Sequence, residues 1–419
     1  MIVKKVLLSI CAASLAASLM AGCSIFDSGS SGSASATKSN TRPDAVTLSG
    51  KYDGFGFQAL QTVGEMRLYD ALDTAVNKLQ GEEFVTDSLD DEGRATEVLD
   101  FYKSDHPDIF WIDEAQPYYY TVSGNEMTIK LNFKLEGSEL ETAKAALDEK
   151  VQEALAGAPQ NGSDYEKELY VHDYIIDCCT YDKESLKAHE TETVRANEQN
   201  AYGALVDGKA VCEGYTRAFQ LLCEKLGVVC SVVQGQALGF EGQENTNHIW
   251  NCVQLDGNWY YVDATWDDCE DAEAAATVEV DRHMYFNLTT DELKKDHVIA
   301  PPYSEYKTGD IWYNCIVPKC DSTDYYYLKL NSIEVDDLDN NGAGSYLAQS
   351  AASEAPCCCF MISEDIDFEY AFNEIVQGVA YQWITEANET NENEHQLSEN
   401  CKLSSREDRH LAVMILDYN

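Results

Sequence analysis

The chain of 419 residues carries 74 Asp+Glu against 29 Lys+Arg, a formal net charge of −45, and 44% of it is hydrophobic. A surface this acidic repels phosphate backbones and anionic lipid, which excludes nucleic-acid binding through a basic patch and leaves membrane contact to a covalent or hydrophobic anchor. The apolar content supports globular domains with a sizeable core rather than disorder.

Lys4 and Lys5 precede an apolar run from Val6 to Met20, and Ala21-Gly22-Cys23 follows. A charged start, an apolar stretch and small residues before a cleavage point read as a secretory signal over 1–22. The cysteine after the small residues resembles a bacterial lipobox, where that residue is diacylated and becomes the new N-terminus. An ordinary signal peptide that contains a cysteine is the alternative. Residues 23–45 are rich in Ser, Gly and Ala, the composition of a flexible tether. The expectation is an exported protein, held at the extracellular face of the cell membrane only through lipid on Cys23. Removing Lys4 and Lys5 with the leader makes the remainder more acidic still.

Region 46–160 reads as α+β. Apolar residues recur at near-helical spacing from Phe55 to Leu79, and a second helix runs from Ala95 to Lys103. Strands are expected at Tyr118–Val122 and Met127–Leu135 around Ser123-Gly124-Asn125, then a helix at Glu139–Leu155. No chemical constellation lies within this region. Region 161–306 opens on a helix at Tyr165–Cys178. Region 307–419 reads as a Tyr-rich α/β accessory domain, with strands at Tyr325–Asn331, Cys357–Ser363 and Leu411–Leu416. It adds an amphipathic helix at Phe368–Thr385 and an exposed acidic loop at Glu386–Glu399. Asp337-Leu-Asp-Asn-Asn-Gly342 matches the opening of a calcium loop, yet its twelfth position is Ala348, where a bidentate acid is required. It reads as a turn. Cys and His do not occur at zinc spacing, so neither a metal nor another cofactor is expected.

The stretch from Tyr202 to Asp268 carries the chemistry. Gly208-Lys-Ala-Val leads into Cys212, after which Tyr215, Phe219, Leu222 and Leu226 repeat on one helical face until Gly227 stops it. Cys212 thus lies in the first turn of a helix, where unpaired N–H groups and the helix dipole favour a thiolate. Such a nucleophile needs a proton acceptor. Two strands supply candidates: His248–Leu255 and Trp259–Thr265 flank Asp256-Gly257, a strong hairpin signal. With a two-residue loop, Leu255 opposes Asn258 and His248 faces Thr265. Asp263 then shares the face of His248 at a diagonal of roughly 7–8 Å. A three-residue loop puts His248 and Asp263 on opposite faces.

Ala201-Tyr-Gly-Ala-Leu, Val211-Cys-Glu-Gly-Tyr, Asn247-His-Ile-Trp-Asn and Trp259-Tyr-Tyr-Val-Asp-Ala-Thr-Trp-Asp-Asp closely resemble the bacterial transglutaminase-like superfamily, over the span from Tyr165 to Tyr306. The resemblance implies Cys212 as nucleophile, His248 as general base and acid, and Asp263 as the residue that orients the imidazole. It also implies an α+β fold with a papain-like core, in which the Cys-bearing helix packs on an antiparallel sheet between small α+β flanking domains. Ile249 departs from the pattern, where Ala is common, and places a bulkier neighbour beside His248. His172, His283 and His297 read as structural, and Trp250, Trp259 and Trp266 as walls of the core or cleft. Tyr202 reads equally as cleft or as packing. The Cys212 backbone N–H is the expected oxyanion donor, with the second donor open.

Two classes of function follow. One is a thiol acyl-transfer enzyme acting on a protein or peptide, a protease or amidase when water accepts the acyl group and a transglutaminase when an amine does. The analogy of an exported lipoprotein favours hydrolysis. The other is a non-catalytic surface module that binds through the cleft or the Tyr-rich domain; an intact Cys/His/Asp set argues against it. A monomer is expected. Of 15 cysteines, those beyond Cys11, Cys23 and Cys212 are expected to be mostly reduced and buried, since adjacent Cys357-Cys358-Cys359 pair poorly.

Overall fold

The computed structural model describes residues 46–78, 83–89, 91, 93–114, 117–185, 197–238, 245–268, 277–307, 312–339, 342–390 and 396–419. The leader, the tether and Cys23 lie outside the described residues. The described residues form two compact units: those from 46 to Leu255 together with Asp296–Pro318, and those of Asp256–Lys295 together with Lys319–Asn419. No helix among the described residues is long and apolar enough to cross a membrane.

The first unit starts with α1 (Phe55–Ala59) and α2 (Val63–Lys78). A single helix was the expectation here, and capping explains the break. The Glu65 carboxylate accepts the backbone N–H groups of Gln61 (2.6 Å) and Thr62 (3.0 Å), while Thr62 Oγ1 accepts the Glu65 N–H (3.2 Å). This reciprocal Thr-x-x-Glu cap starts a new helix instead of continuing the old one. Next come β1 (Phe84–Asp87), α3 (Arg94–Asp105), β2 (Tyr118–Ser123) and β3 (Glu126–Leu131), with β3 central in an antiparallel sheet. Then α4 (Gly137–Gly157) leads to α5 (Asp164–Cys178), whose start is a full capping box between Ser163 and Glu166. The short parallel pair β4 (Thr180–Tyr181) and β5 (Lys209–Ala210) brings the chain to α6 (Cys212–Leu226).

Helix α6 is buried along most of its length and packs on two strands, β6 (Val229–Ala237) and β7 (Thr246–Leu255). It ends at Gly227 in a left-handed conformation (φ 79°), where Val228 N–H reaches back to the Cys223 carbonyl (2.9 Å). That is the glycine stop expected from sequence. After β7 the chain enters the second unit with β8 (Asn258–Val262), α7 (Ala264–Asp267), α8 (Val278–Asp281) and α9 (Thr290–Leu293). It returns at β9 (His297–Ile299). Strand β6 runs antiparallel to both β7 and β9. The Cys-bearing helix on an antiparallel sheet is thus present as expected.

In the second unit, α10 (Tyr327–Leu330) replaces the strand expected at Tyr325–Asn331. Three consecutive tyrosines have high strand propensity, but Leu330 and Asn331 donate locally to the carbonyls of Tyr326 and Tyr327 (both 3.0 Å), which closes a helical turn. Next come β10 (Ile333–Val335), α11 (Ala343–Ala352) and β11 (Cys357–Ile362). The amphipathic helix at 368 is longer than expected. It comprises α12 (Phe368–Glu374), a π-helical stretch over Ile375–Val379 that absorbs non-helical Gly378, and α13 (Ala380–Thr390). It therefore takes over the first residues of the expected acidic loop, whose positions 391–395 lie outside the described residues. Strands β12 (Lys402–Arg406) and β13 (Leu411–Ile415) complete a sheet of order β10-β11-β13-β12. Phe360 of β11 stacks on Trp383 of α13 (centroids 4.9 Å apart) at the centre of this core. Asp339 N–H caps back onto the Asp337 carboxylate (2.9 Å), a turn contact; residues 340–341 of the calcium-like motif lie outside the described residues. No described cysteine is in a disulfide.

Candidate active site

Cys212 is the first residue of α6 and is 5% exposed. The chain is held on its way in. Gly208 turns at φ 68°, Ala210 pairs with Tyr181, and Val211 donates to the Glu198 carbonyl (2.9 Å). Val211 is extended (φ −94°, ψ −177°), and its carbonyl accepts from Gly214 (3.0 Å) and Tyr215 (3.2 Å), so the helix begins abruptly at the cysteine.

His248 stands on β7 opposite Gly235 of β6 and is 1% exposed. Its ring lies 5.8 Å from that of Trp250 and 5.5 Å from that of His297, whose Nδ1 is 2.6 Å from Asp296 Oδ1. Gly235 is required by close approach: a Cβ there would sit 2.0 Å from the Val298 carbonyl oxygen of β9. Two side chains lock α6 to β7. The Thr216 hydroxyl lies 2.8 Å from the Cys212 carbonyl and 3.1 Å from that of Ile249, and the Asn251 amide donates to the Thr216 carbonyl (3.2 Å). Cys212, Val232 and Ile249 form one buried apolar contact.

Asp263 belongs to the second unit. The strand expected to run to Thr265 stops at Val262, because the Asp263 carboxylate caps α7 by accepting from the N–H groups of Thr265 (3.0 Å) and Trp266 (3.2 Å). Thr265 is therefore helical. The Asp263 N–H donates to the Tyr285 carbonyl (3.1 Å), and Asp263 is 1% exposed. The hairpin loop between β7 and β8 has two residues, Asp256 and Gly257, both at positive φ (48° and 84°) as a type I′ turn demands.

Sequence reasoning missed the wall of the cleft. Within the first unit, His248 and Ile249 line a cavity together with Leu99, Asp100 and Lys103 of α3, and with Glu114, Glu213, Arg217 and Trp312. Lys103 pairs with Glu114 (2.7 Å) and Glu213 (3.7 Å), and Arg217 with Glu213 (3.3 Å). Removal from bulk water pushes the Asp100 carboxyl up to about 6, against the pull of Lys103. Burial draws the Lys103 ammonium down, but Glu114, Glu213 and Asp100 outweigh it and hold its pKa raised. The signal in α3 was only an Asp and a Lys three residues apart, which on a helix reads as solvated surface.

A cysteine thus opens a buried helix that is locked against a strand carrying a histidine, within a mixed helix-and-sheet domain. Residues 151–264 match the Transglutaminase-like superfamily, and this part of the chain is a transglutaminase-like domain. The kyphoscoliosis peptidase of Mus musculus is 30% identical over 147 residues, covering 33% of this chain and 21% of that protein. That of Homo sapiens is 30% identical over 131 residues, covering 30% and 19%. The chain thus spans only those shares of the curated relatives. The crystal structure of a TGase aligns at 16% identity with a TM-score of 0.25, covering 35% of this chain and 44% of that one.

Proposed function

We propose that the protein is a thiol acyl-transfer enzyme that hydrolyses a peptide or carboxamide bond, with Cys212, His248 and Asp263 as its triad. The observation that carries the reading is the lock between α6 and β7. Through Thr216, the carbonyl of Cys212 and that of Ile249, next to His248, share one hydroxyl. Nucleophile and base thereby stand on elements that cannot drift apart. His248 takes the proton of the Cys212 thiol, and the sulfur attacks the carbonyl carbon, whose π electrons move onto oxygen near the first-turn N–H groups of α6. Collapse breaks the C–N bond, His248 gives a proton to the departing amine, and a thioester remains. His248 then takes a proton from water, whose oxygen attacks the thioester; the thiolate leaves and the acid is released. Asp263 serves by holding the imidazole in the productive orientation. The name of the mammalian relatives, a peptidase, supports water as the acceptor.

We extend the proposal to location: an exported monomer, tethered at the extracellular face through a lipid on Cys23, acting on protein or peptide and not on nucleic acid. The test is labelling of the purified protein by a thiol-directed acyl probe at neutral pH, alongside peptide hydrolysis and amine incorporation. Wild type is expected to label and to hydrolyse, and Cys212→Ala to do neither. Equal labelling of Cys212→Ala rejects the nucleophile, incorporation of amine in preference to hydrolysis assigns a transglutaminase, and neither activity assigns a binding module.

A further inference from the structure

The cleft beside His248 has an uneven charge balance. Three carboxylates (Asp100, Glu114 and Glu213) face two cations (Lys103 and Arg217) across it. Both cations are engaged, Lys103 with Glu114 and Glu213, and Arg217 with Glu213 and the Ser104 hydroxyl (3.2 Å). Asp100 is different: it is half-buried, lines the cavity, and has neither an ion pair nor a side-chain hydrogen bond among the described residues. Arg217, 5% exposed, also keeps its Nε–H without an acceptor among the described residues. Leu99, Val232, Ile249 and Trp312 supply apolar wall to the same cavity. A long aliphatic stem ending in a cation fits such a lining, because the stem covers apolar surface and the head meets an unpaired carboxylate. A carboxylate ligand does not fit, since it has to displace Glu114 or Glu213 from a cation already paired.

We infer that this cavity receives a lysine or arginine side chain of the peptide substrate, with Asp100 as the residue that selects it. The inference rests on the acyl-transfer reading and names the substrate class of that same site. The experiment uses acetylated, amidated alanine hexapeptides in which one lysine is moved through the positions, with norleucine and glutamate counterparts. Binding is titrated against the full chain carrying Cys212→Ala, and turnover is measured with wild type. At one position the lysine peptide is expected to bind roughly tenfold tighter than the norleucine peptide, the worth of one charge-assisted contact. Adding Asp100→Asn is expected to abolish most of that ratio, with melting curves to show that the variant is folded. Equal binding of lysine and norleucine peptides at every position, preference for glutamate, or an unchanged ratio in Asp100→Asn overturns the pocket. Lysine-selective binding without turnover keeps the pocket and rejects the enzyme. Turnover without lysine preference keeps the enzyme and rejects the pocket.

Discussion

Gly214→Ala sets two physical effects against each other inside the helix that carries Cys212. Helix propensity alone favours alanine over glycine, by at most about 1 kcal/mol in the first turn where Gly214 lies. Packing opposes it. A Cβ at 214 would lie 2.5 Å from the Ala210 Cβ, 2.7 Å from the Glu198 carbonyl oxygen and 3.2 Å from that of Asn200. Carbon atoms prefer a separation of about 3.5–4.0 Å, so the helix or the 198–200 loop must shift by about 1 Å. The loop is poorly able to yield: Glu198 O holds the Val211 N–H (2.9 Å), and Asn200 Oδ1 accepts from Tyr202 (3.1 Å) and Gly203 (3.3 Å). Overpacking against backbone belongs at the upper end of the usual range of about 1–3 kcal/mol, leaving a net loss of about 2 kcal/mol after the propensity gain. For a unit of this size that lowers the melting temperature by about 4–8 °C. Displacing Cys212 by about 1 Å is also expected to slow acyl-probe labelling by up to about a hundredfold. Thermal melts and labelling rates on the same preparation check both. A variant about 1 kcal/mol more stable than wild type that labels at the wild-type rate refutes the packing argument.

Asp263 separates its capping role from its proposed catalytic one. Asp263→Ala removes the acceptor for Thr265 and Trp266 N–H and is expected to cost about 1 kcal/mol in urea unfolding, whereas Asp263→Asn keeps the cap. If the carboxylate orients His248, Asp263→Asn still lowers kcat by about 10³–10⁴; near-wild-type kcat with preserved stability leaves Asp263 as a cap only. Glu97 makes a pH prediction. Burial, reinforced by Asp100, raises its pKa from 4.5 to about 9, and its Oε2 has no partner among the described residues. The folded state therefore holds a proton that the unfolded chain loses above about 4.5, so stability is greatest below that pH and falls as pH rises toward 9. Glu198 and Glu224, each pushed up to about 7 by burial, act with the same sign. Glu97→Gln is expected to match wild type in urea midpoint at pH 4.5 and to exceed it at pH 8. An equal difference at the two pH values dismisses the linkage.

The elements that place Cys212 were legible because each is specified by neighbours in sequence. Gly208 and Gly227 take the left-handed conformations their positions demand, and the apolar spacing between them has one helical solution. Asp256-Gly257 likewise encodes its own turn. The end of β8 was hidden for a local reason of the opposite kind. Val-Asp-Ala-Thr continues the alternation of a strand, and only the Asp263 carboxylate, by bonding two later N–H groups, converts it into a helix start. The split of the first helix at Thr62-Val-Gly-Glu65 is a cap that apolar periodicity cannot register. The wall of the cleft was invisible for a different reason. Nothing in α3 announces that Asp100 and Lys103 face residues more than a hundred positions later.

That long-range wall bears on what the site can do. In the first unit His248 is nearly fully buried, with the rings of Trp250 and His297 at 5.8 and 5.5 Å, and β9 presses against the sheet at Gly235, directly across from it. These contacts occupy space around the imidazole, whereas the α3 cavity reaches it with room for a ligand. An acyl acceptor that must reach His248 is then expected to share that cavity with the substrate. If a lysine side chain of the same peptide fills it against Asp100, the amine is held by a carboxylate and stays protonated, which makes it a poor acyl acceptor. Water, small enough to enter beside the filled pocket once the leaving peptide departs, is the better one. The charge of the pocket thus argues for hydrolysis over amine transfer. An Asp100→Asn enzyme that gains amine incorporation while losing hydrolysis of lysine peptides is the behaviour this reasoning requires.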